Sequence, residues 1–189
     1  MDIIKTEFEK LILIKLEKHN DNRGWFCESY SKREFMKNRM EYDFIQDNHS
    51  YSKFKNTVRG LHMQNDPYQQ TKLVRCIKGS IFDVAVDLRK ESKTYLKYFS
   101  TILSAENNLL LLIPKGFAHG FLTLEDDVEV YYKVDNQYSK NHELTIRFDD
   151  ETLSISWPGS RYIVSDKDKD GVSILSLMGN MSLPKGIQK

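Results

Sequence analysis

The sequence has few cysteines, no long hydrophobic run and almost no net charge, and each deficit argues against a class of protein. Its two cysteines, Cys27 and Cys76, stand far apart among 189 residues, which disfavours a disulfide scaffold or a thiolate zinc site. The longest apolar run, 109–114, is too short to span a bilayer. The length suits one domain with a sizeable core.

The balance of charge limits the possible partners. The 28 basic and 27 acidic residues leave a formal net charge of +1. No global electrostatic field therefore favours nucleic acid or an anionic membrane, and any anion must be bound by local groups. The first residues, MDIIKTEFEK, are too charged for a signal peptide, so we expect a cytoplasmic protein.

Apolar and polar residues alternate with a period of two along much of the chain, which is typical of strands. In 81–88 the alternation sets Asp83 and Asp87 opposite an apolar face and predicts a half-buried strand. The segment 128–134 repeats the pattern and places Tyr132 on the face of three valines. Further strands are predicted at 11–17, 71–77, 97–103, 109–113, 144–148 and 153–157.

One helix is predicted, over 32–40, because Ser31 and Glu34 form the pattern of a capping box. Many short strands without alternating helices indicate an all-β sandwich or barrel. We expect a single domain over residues 1–168. The alternation is lost at the end of the chain, so 169–189 is interpreted as a C-terminal extension.

The segment 58–72, VRGLHMQNDPYQQTK, contains a set of residues suited to proton abstraction beside a carbonyl. His62 supplies an imidazole, the side chain whose ordinary pKa lies closest to neutral pH in general, and Lys72 could neutralise an enolate oxygen. Arg59 adds a second cation. Taken alone this cluster is weak evidence, because most lysines and arginines are solvated surface residues.

The segment 113–121, IPKGFAHGF, has a Pro-x-Gly-x-x-His spacing that leads onto a strand carrying His119. This resembles the second motif of cupins, which are small jelly-roll barrels. Metal-binding cupins have a His-x-His pair in the first motif, where this chain has His62, Met63 and Gln64. Most metal ligands are therefore missing, and no metal is expected.

From Arg23 to Asp168 the chain resembles the dTDP-4-dehydrorhamnose 3,5-epimerase family. The segments that carry the resemblance are RGWFCESY, QDNHSYS, RGLHMQ, QTKLVR, DVAVDLR, IPKGFAHGF, VYYKVDNQY and VSDKD. Several motifs in the right order are more specific than one short pattern. The resemblance implies an all-β cupin jelly-roll barrel with short peripheral helices, a homodimer, and catalysis without a cofactor.

The resemblance also implies catalytic roles. His62 matches the general base and Asp168 its carboxylate partner, although a solvated acidic turn is the simpler interpretation of the run DKDKD. Lys72 matches the lysine beside the developing enolate oxygen. Tyr132 matches the acid that returns a proton on the opposite face of the sugar, whereas alternation alone would suggest a core tyrosine.

Further matched positions bind substrate in the family. Arg23 and Arg59 match arginines that contact the diphosphate, and either could otherwise be a surface residue. Tyr138 matches a tyrosine that stacks on the thymine. The remaining matched contacts are Glu28, Gln46, Asn48, His119, Glu143 and Lys167.

The expected substrate is therefore a dTDP-4-keto-6-deoxy sugar, epimerised at carbons 3 and 5. Met63, Lys93 and Phe148 depart from the family pattern. They leave open a 3-epimerase or a ketoisomerase acting on a related nucleotide sugar. A metal-dependent cupin enzyme and a binding module with a vestigial site are more distant alternatives.

Overall fold

A computed structural model of the protein describes residues 1–181, so 182–189 of the predicted extension lie outside the described residues. The described part contains fourteen strands, three α-helices and one turn of 3-10 helix at Lys140–His142. The strands are β1 (Asp2–Lys5), β2 (Ile12–Lys15), β3 (His19–Asp21), β4 (Gly24–Phe26), β5 (Gln46–Ser52), β6 (Thr57–Gln64), β7 (Lys72–Lys78), β8 (Ser80–Asp87), β9 (Tyr98–Ser104), β10 (Leu109–Ile113), β11 (Phe117–Thr123), β12 (Val128–Val134), β13 (Glu143–Thr145) and β14 (Ile163–Val164). The helices are α1 (Lys32–Lys37), α2 (Asp166–Lys169) and α3 (Ile174–Met181). No helix within 1–181 is long and apolar enough to cross a membrane.

Two sheets face each other and form the barrel. The first sheet has the strand order β1-β2-β10-β7-β12-β5, and the second has the order β13-β6-β11-β8-β9 with β14 paired to β6. Strands β3 and β4 form a separate hairpin. The predicted all-β jelly-roll barrel with short helices outside it is confirmed.

The inward faces of both sheets supply the main core. The first sheet contributes Val74, Cys76, Leu111, Ile113 and Val130, and the second contributes Ile81, Ala85, Leu103, Phe117 and Phe121. The outer faces are also covered, because α1 packs Phe35 on the first sheet and α3 packs Ile174 on the second. Burial of apolar surface on both faces of each sheet stabilises the fold.

Two predicted elements were wrong in part. No strand forms at 153–157; Ser154 has a φ of 45°, and this left-handed conformation interrupts an extended backbone. Helix α1 ends at Lys37, and the Ser31 side chain makes no cap hydrogen bond. Glu34 instead accepts a hydrogen bond from Lys37 at 2.7 Å.

The half-buried strand predicted at 81–88 is buried on both faces. Asp83 and Asp87 are each 0% exposed, because their face of β8 lies against the barrel interior and not against solvent. Each carboxylate has polar partners there: Asp83 pairs with His119, and Asp87 pairs with Arg89. Burying a carboxylate is costly without such partners.

Candidate active site

Two adjoining cavities lie between the sheets, with volumes of about 390 and 140 Å³. Five side chains line both of them: His62, Lys72, Tyr132, Tyr138 and Glu143. The larger cavity is also lined by Ser50, Arg59, His119, Phe121, Ser165, Lys167 and Asp168, and the smaller by Gln46, Asn48, Met63, Gln64 and Gln70. Cavities of this size and polarity suit a small polar ligand.

Arg59 and His62 line the same cavity because a β-bulge interrupts β6. In the pairing of β6 with β11, His62 faces His119 and Arg59 faces Phe121, so β6 carries one residue more between these pairs. Gly60 lies at the bulge with a φ of 109°, and a Cβ there would be 2.6 Å from the His119 carbonyl oxygen. Glycine alone fits this close approach without strain.

Asp168 holds the His62 ring. The Nε2 atom of His62 lies 2.6 Å from one Asp168 carboxylate oxygen, and the N–H of Gly60 donates to the other at 3.1 Å. Ser165, the N-cap residue of α2, accepts a hydrogen bond from the Asp168 N–H. Asp168 is only 4% exposed, so it is not part of a solvated turn.

The protonation state of this pair follows from its hydrogen bonds. Burial raises the pKa of Asp168, but the hydrogen bond and charge interaction with His62 and the hydrogen bond from Gly60 outweigh it, and the net pKa is lowered. An ionised carboxylate can only accept, so the proton of neutral His62 is on Nε2. The Nδ1 atom is then the basic nitrogen.

The Lys72 ammonium lies beside His62. Its Nζ donates to the His62 carbonyl oxygen at 3.2 Å, and the residue is 9% exposed. Burial lowers the pKa of Lys72 to about 8, although the negative charges of Asp83 and Glu143 oppose this shift. The Lys72 side chain is therefore charged in most molecules at neutral pH.

Tyr132 approaches from the first sheet, whereas His62 belongs to the second. It packs against the interior core together with Val128 and Val130, the face that the alternation predicted. Burial raises the pKa of the Tyr132 phenol. The phenol is thus a protonated donor at neutral pH on the wall opposite the histidine.

His119 forms a second histidine–carboxylate pair. Its Nε2 atom lies 2.9 and 3.2 Å from the two Asp83 carboxylate oxygens. Both residues are buried, and burial lowers the pKa of His119 despite the opposing effect of Asp83. Asp83 was missed in the sequence; the available signal was an acidic residue in the middle of an apolar strand.

Glu143 connects two elements at the edge of the cavities. Lys167 of α2 donates to one carboxylate oxygen at 2.6 Å, and the Tyr138 hydroxyl donates to the other at 3.1 Å. Burial raises the pKa of Glu143, but the interactions with Lys167 and Tyr138 outweigh burial and lower it. Glu143 thus remains a fixed acceptor that orients both side chains.

Polar side chains of β5 and an oriented arginine complete the cavity walls. Asn48 lies opposite Tyr132 in the pairing of β5 with β12, and Gln46 donates to the Asn48 side chain at 2.9 Å. The Arg59 guanidinium donates to Ser52 Oγ at 3.0 Å and to the Tyr51 carbonyl at 2.9 Å.

Two predicted site residues lie elsewhere in the single chain. Arg23 lies in the turn of the β3–β4 hairpin and pairs with Asp21 at 2.6 Å. Glu28 lines a separate surface depression with Met1, Glu17 and other residues near the N-terminus. One chain therefore does not bring Arg23 and Glu28 to the cavities that contain His62.

The described residues offer no metal centre. Across 1–181, no group of three or more histidine, cysteine, aspartate and glutamate side chains is arranged to hold an ion. The two histidines of the larger cavity are each already paired with a carboxylate.

Comparison with known proteins gives a consistent result. The family model described as dTDP-4-dehydrorhamnose 3,5-epimerase matches residues 5–175. A dTDP-4-dehydrorhamnose 3,5-epimerase of Shigella flexneri is 46% identical over 172 residues, which cover 90% of this chain and 94% of the relative.

Solved structures agree with these sequence matches. The dTDP-4-dehydrorhamnose 3,5-epimerase of Bacillus anthracis, with TDP and pyrophosphate bound, has a TM-score of 0.90 at 44% identity, covering 92% of this chain and 99% of that one. A 3,5-epimerase of Legionella pneumophila in complex with dTDP-4-keto-L-rhamnose has a TM-score of 0.89 at 37% identity, covering 99% of both chains.

Proposed function

The chain belongs to the dTDP-4-dehydrorhamnose 3,5-epimerase family and is an isomerase, and on this premise we propose that it converts dTDP-4-keto-6-deoxy-D-glucose to dTDP-4-keto-L-rhamnose. One geometric feature supports this reaction most strongly. The His62–Asp168 pair and the Tyr132 phenol line one cavity from opposite sheets. Inversion of a carbon centre needs a base on one face and an acid on the other.

His62 is the base in this proposal. Hydrogens on the carbons next to the C4 ketone are acidic, because the carbanion is stabilised as an enolate. The Nδ1 atom of His62 takes such a proton, and the ionised Asp168 stabilises the imidazolium that forms. The carboxylate also fixes the ring orientation.

Lys72 stabilises the enolate. Its buried ammonium lies beside His62 and places a positive charge where the C4 oxygen becomes negative. Losing one such fixed donor typically lowers the rate by about 10² to 10³. Tyr132 then returns a proton from the first sheet, and the raised pKa of its phenol keeps that proton available.

The same cavities bind the nucleotide in this proposal. The planar guanidinium of Arg59 suits the diphosphate, and the exposed ring of Tyr138 suits stacking on thymine. Gln46 and Asn48 offer amides to the nucleotide, while His119, Glu143 and Lys167 contact the substrate. The TDP-bound Bacillus anthracis relative supports a dTDP-linked ligand.

A homodimer explains the positions of Arg23 and Glu28. The β3–β4 hairpin carries Trp25 and Phe26, which are 52% and 69% exposed. Large exposed aromatic side chains on one hairpin are typical of an interface. We assign this hairpin to the cavity of a second copy, where Arg23 reaches the diphosphate and Glu28 the nucleotide.

Proton transfer through an enolate uses only these side chains, so the proposed reaction consumes no redox cofactor and no metal.

A cytoplasmic location fits the two free thiols, Cys27 and Cys76.

The deciding experiment is proton NMR of dTDP-4-keto-6-deoxyglucose incubated with the protein in deuterium oxide. We expect loss of the signals at carbons 3 and 5. Loss at carbon 3 alone would indicate a 3-epimerase, and no loss would contradict the proposal. The His62→Asn variant serves as the control, and it should bind TDP without catalysing exchange.

A further inference from the structure

Two histidine–carboxylate pairs lie side by side, and both histidines line the larger cavity. His62 and His119 face each other in the pairing of β6 with β11, and their carboxylate partners are Asp168 and Asp83. The two pairs differ in their surroundings. His62 is partly open to the cavity, whereas Asp83 is 0% exposed and His119 is buried.

Within residues 1–181, no lysine or arginine forms an ion pair with the buried Asp83 carboxylate. Its carboxylate accepts hydrogen bonds from His119, and burial favours the neutral form of that ring. A buried charge without a cationic partner destabilises a protein. Lys72 lines the same cavity as His119, the hydrogen-bond partner of Asp83, and the negative charge of Asp83 is the largest influence that opposes the effect of burial on the pKa of Lys72.

We propose that Asp83 is a positioning residue, which keeps Lys72 protonated and holds His119 as the neutral Nε2–H tautomer. This inference rests on the proposed function, in which the Lys72 ammonium stabilises the enolate. Because the Asp83 carboxylate can only accept, the His119 proton is on Nε2 and its Nδ1 is left as an acceptor. Asp83 itself does not touch substrate in this account.

Several other charged or titratable groups face Lys72, and each belongs to an element packed around the cavity. They are His62 of β6, His119 of β11, Tyr132 of β12, Glu143 of β13, Lys167 and Asp168 of α2, and Arg59 of β6. Glu143 is the other acid that favours the charged lysine, but it is already bound to Lys167 at 2.6 Å. Asp168 is bound to His62. Asp83 is thus the remaining acid near Lys72, and within the described residues its one ion-pair partner is His119.

The test replaces Asp83 by asparagine and follows exchange as a function of pH. Activity that needs a protonated Lys72 falls as pH rises through the pKa of that lysine. Without the negative charge, we expect the alkaline limb of kcat to move to lower pH by about one unit or more. The affinity for TDP should not follow this change. An alkaline limb at the wild-type pH would overturn the proposal.

Asp87→Asn is a matched control. Asp87 belongs to the same strand and face as Asp83 and is equally buried, but it is bound to Arg89, Ser92 and Thr94 away from the cavities. If Asp83 had only a structural role, Asp83→Asn and Asp87→Asn would both lower the stability of the protein and neither would move the alkaline limb. Only the Asp83 variant should move the alkaline limb.

A second measurement does not depend on the folding of the variant or on activity. In wild-type protein with nitrogen-15 histidine, we expect His119 to show the neutral Nε2–H pattern at pH 7.5, because burial lowers the pKa of its ring. A doubly protonated ring or an Nδ1–H tautomer would overturn the proposal. If the wild type catalyses no exchange, the proposed function fails, while the His119 tautomer still tests whether Asp83 positions that ring.

Discussion

Arg59 and His62 lie three positions apart on β6, yet both side chains line the same cavity. Strict alternation would place them on opposite faces of the sheet. The bulge at Gly60 adds the extra residue that returns both to one face, and the freed N–H of Gly60 donates to Asp168. The glycine therefore sets the geometry of the base, its carboxylate partner and the arginine together.

Gly60→Ala should damage both stability and activity. The new Cβ would lie 2.6 Å from the His119 carbonyl oxygen, at a φ of 109° that is strained for alanine. We expect a loss of about 1–3 kcal/mol in the free energy of unfolding, measured by urea titration, and a lower kcat.

Gly24→Ala is the control for backbone strain alone, because Gly24 has a φ of 131° but no atom lies within 4 Å of the position that a Cβ would take. It should destabilise the protein less than Gly60→Ala. Equal losses of stability would show that the close approach of β6 and β11 has no special cost.

Asp168→Asn should lower kcat by at least about 10²-fold, because an amide neither fixes the Nε2–H tautomer of His62 nor stabilises its imidazolium. Initial rates of exchange at saturating substrate measure this effect. Asp166→Asn provides the control, since Asp166 lies two positions earlier in α2 with an exposed side chain paired to Lys169. If both variants retain wild-type kcat, His62 does not depend on the carboxylate.

The alternation of apolar residues predicts much of this fold, because strands in a closed barrel keep one face toward the interior. Strands β10 and β12 occur at their predicted bounds. Within one cavity the structure also assembles His62, Lys72, Tyr132 and Asp168, which are distant in sequence. Their proximity depends on how β6 of the second sheet faces the paired strands β7 and β12 of the first, and on the position of α2. The sequence predicts it only through the family resemblance.

The alternation of apolar and polar residues does not predict other features of the structure, because they depend on tertiary contacts. The bulge shifts the register of β6, and the one sign of it in the sequence is Gly60. Asp83 is polar and therefore suggests a solvated face, although the barrel interior beside it contains a polar cavity. Segment 153–157 alternates because Leu153 and Trp157 pack on the outer face of the second sheet, without extended backbone.

Lys72→Met should lower the rate of exchange by about 10² to 10³ and yet stabilise the fold. The pKa of Lys72 is lowered to about 8 in the folded protein, so the unfolded chain binds more protons between pH 8 and about 10.4. Stability then rises with pH across this window, and the charged lysine costs about 3 kcal/mol at pH 7. Methionine removes that cost, so we expect a higher Tm at pH 7 by thermal unfolding.

The same comparison at high pH is the control. As pH rises above about 10.4, both the folded and the unfolded lysine lose their charge, and the difference in Tm between Lys72→Met and wild type should shrink. A variant less stable than wild type at pH 7 would mean that the hydrogen bond from Nζ to the His62 carbonyl outweighs the cost of burying the charge.

Asp87→Asn should remove a contribution to the free energy of unfolding that is present at neutral pH and lost at acidic pH. Burial raises the pKa of Asp87, but hydrogen bonds from Arg89, Ser92 and Thr94 outweigh it and bring the pKa to about 2. The carboxylate therefore stabilises the fold by about 3 kcal/mol above the unfolded pKa of about 3.9, and this contribution is lost as pH falls through about 2. Urea unfolding at pH 7 and pH 3 should show a larger deficit for the variant at pH 7. A deficit that does not depend on pH would contradict the assignment.

The proposed dimer predicts complementation between two inactive variants. Arg23→Ala removes the diphosphate contact that we assign to the partner's cavity, and His62→Asn removes the base. Each homodimer should have low activity. In a mixed dimer, one cavity combines an intact His62 from one chain with an intact Arg23 from the other.

Random exchange of subunits makes half of the dimers mixed, and one of their two cavities is complete. Mixing equal amounts after mild dissociation should therefore restore about a quarter of the wild-type activity, as expected for a two-fold symmetric interface.

Phe26→Asp supplies the control, because an aspartate on the exposed hairpin should prevent dimerisation and complementation together. Sizes measured by light scattering separate the two effects. A mixture that stays inactive although mixed dimers form would place Arg23 in the cavity of its own chain or outside the site.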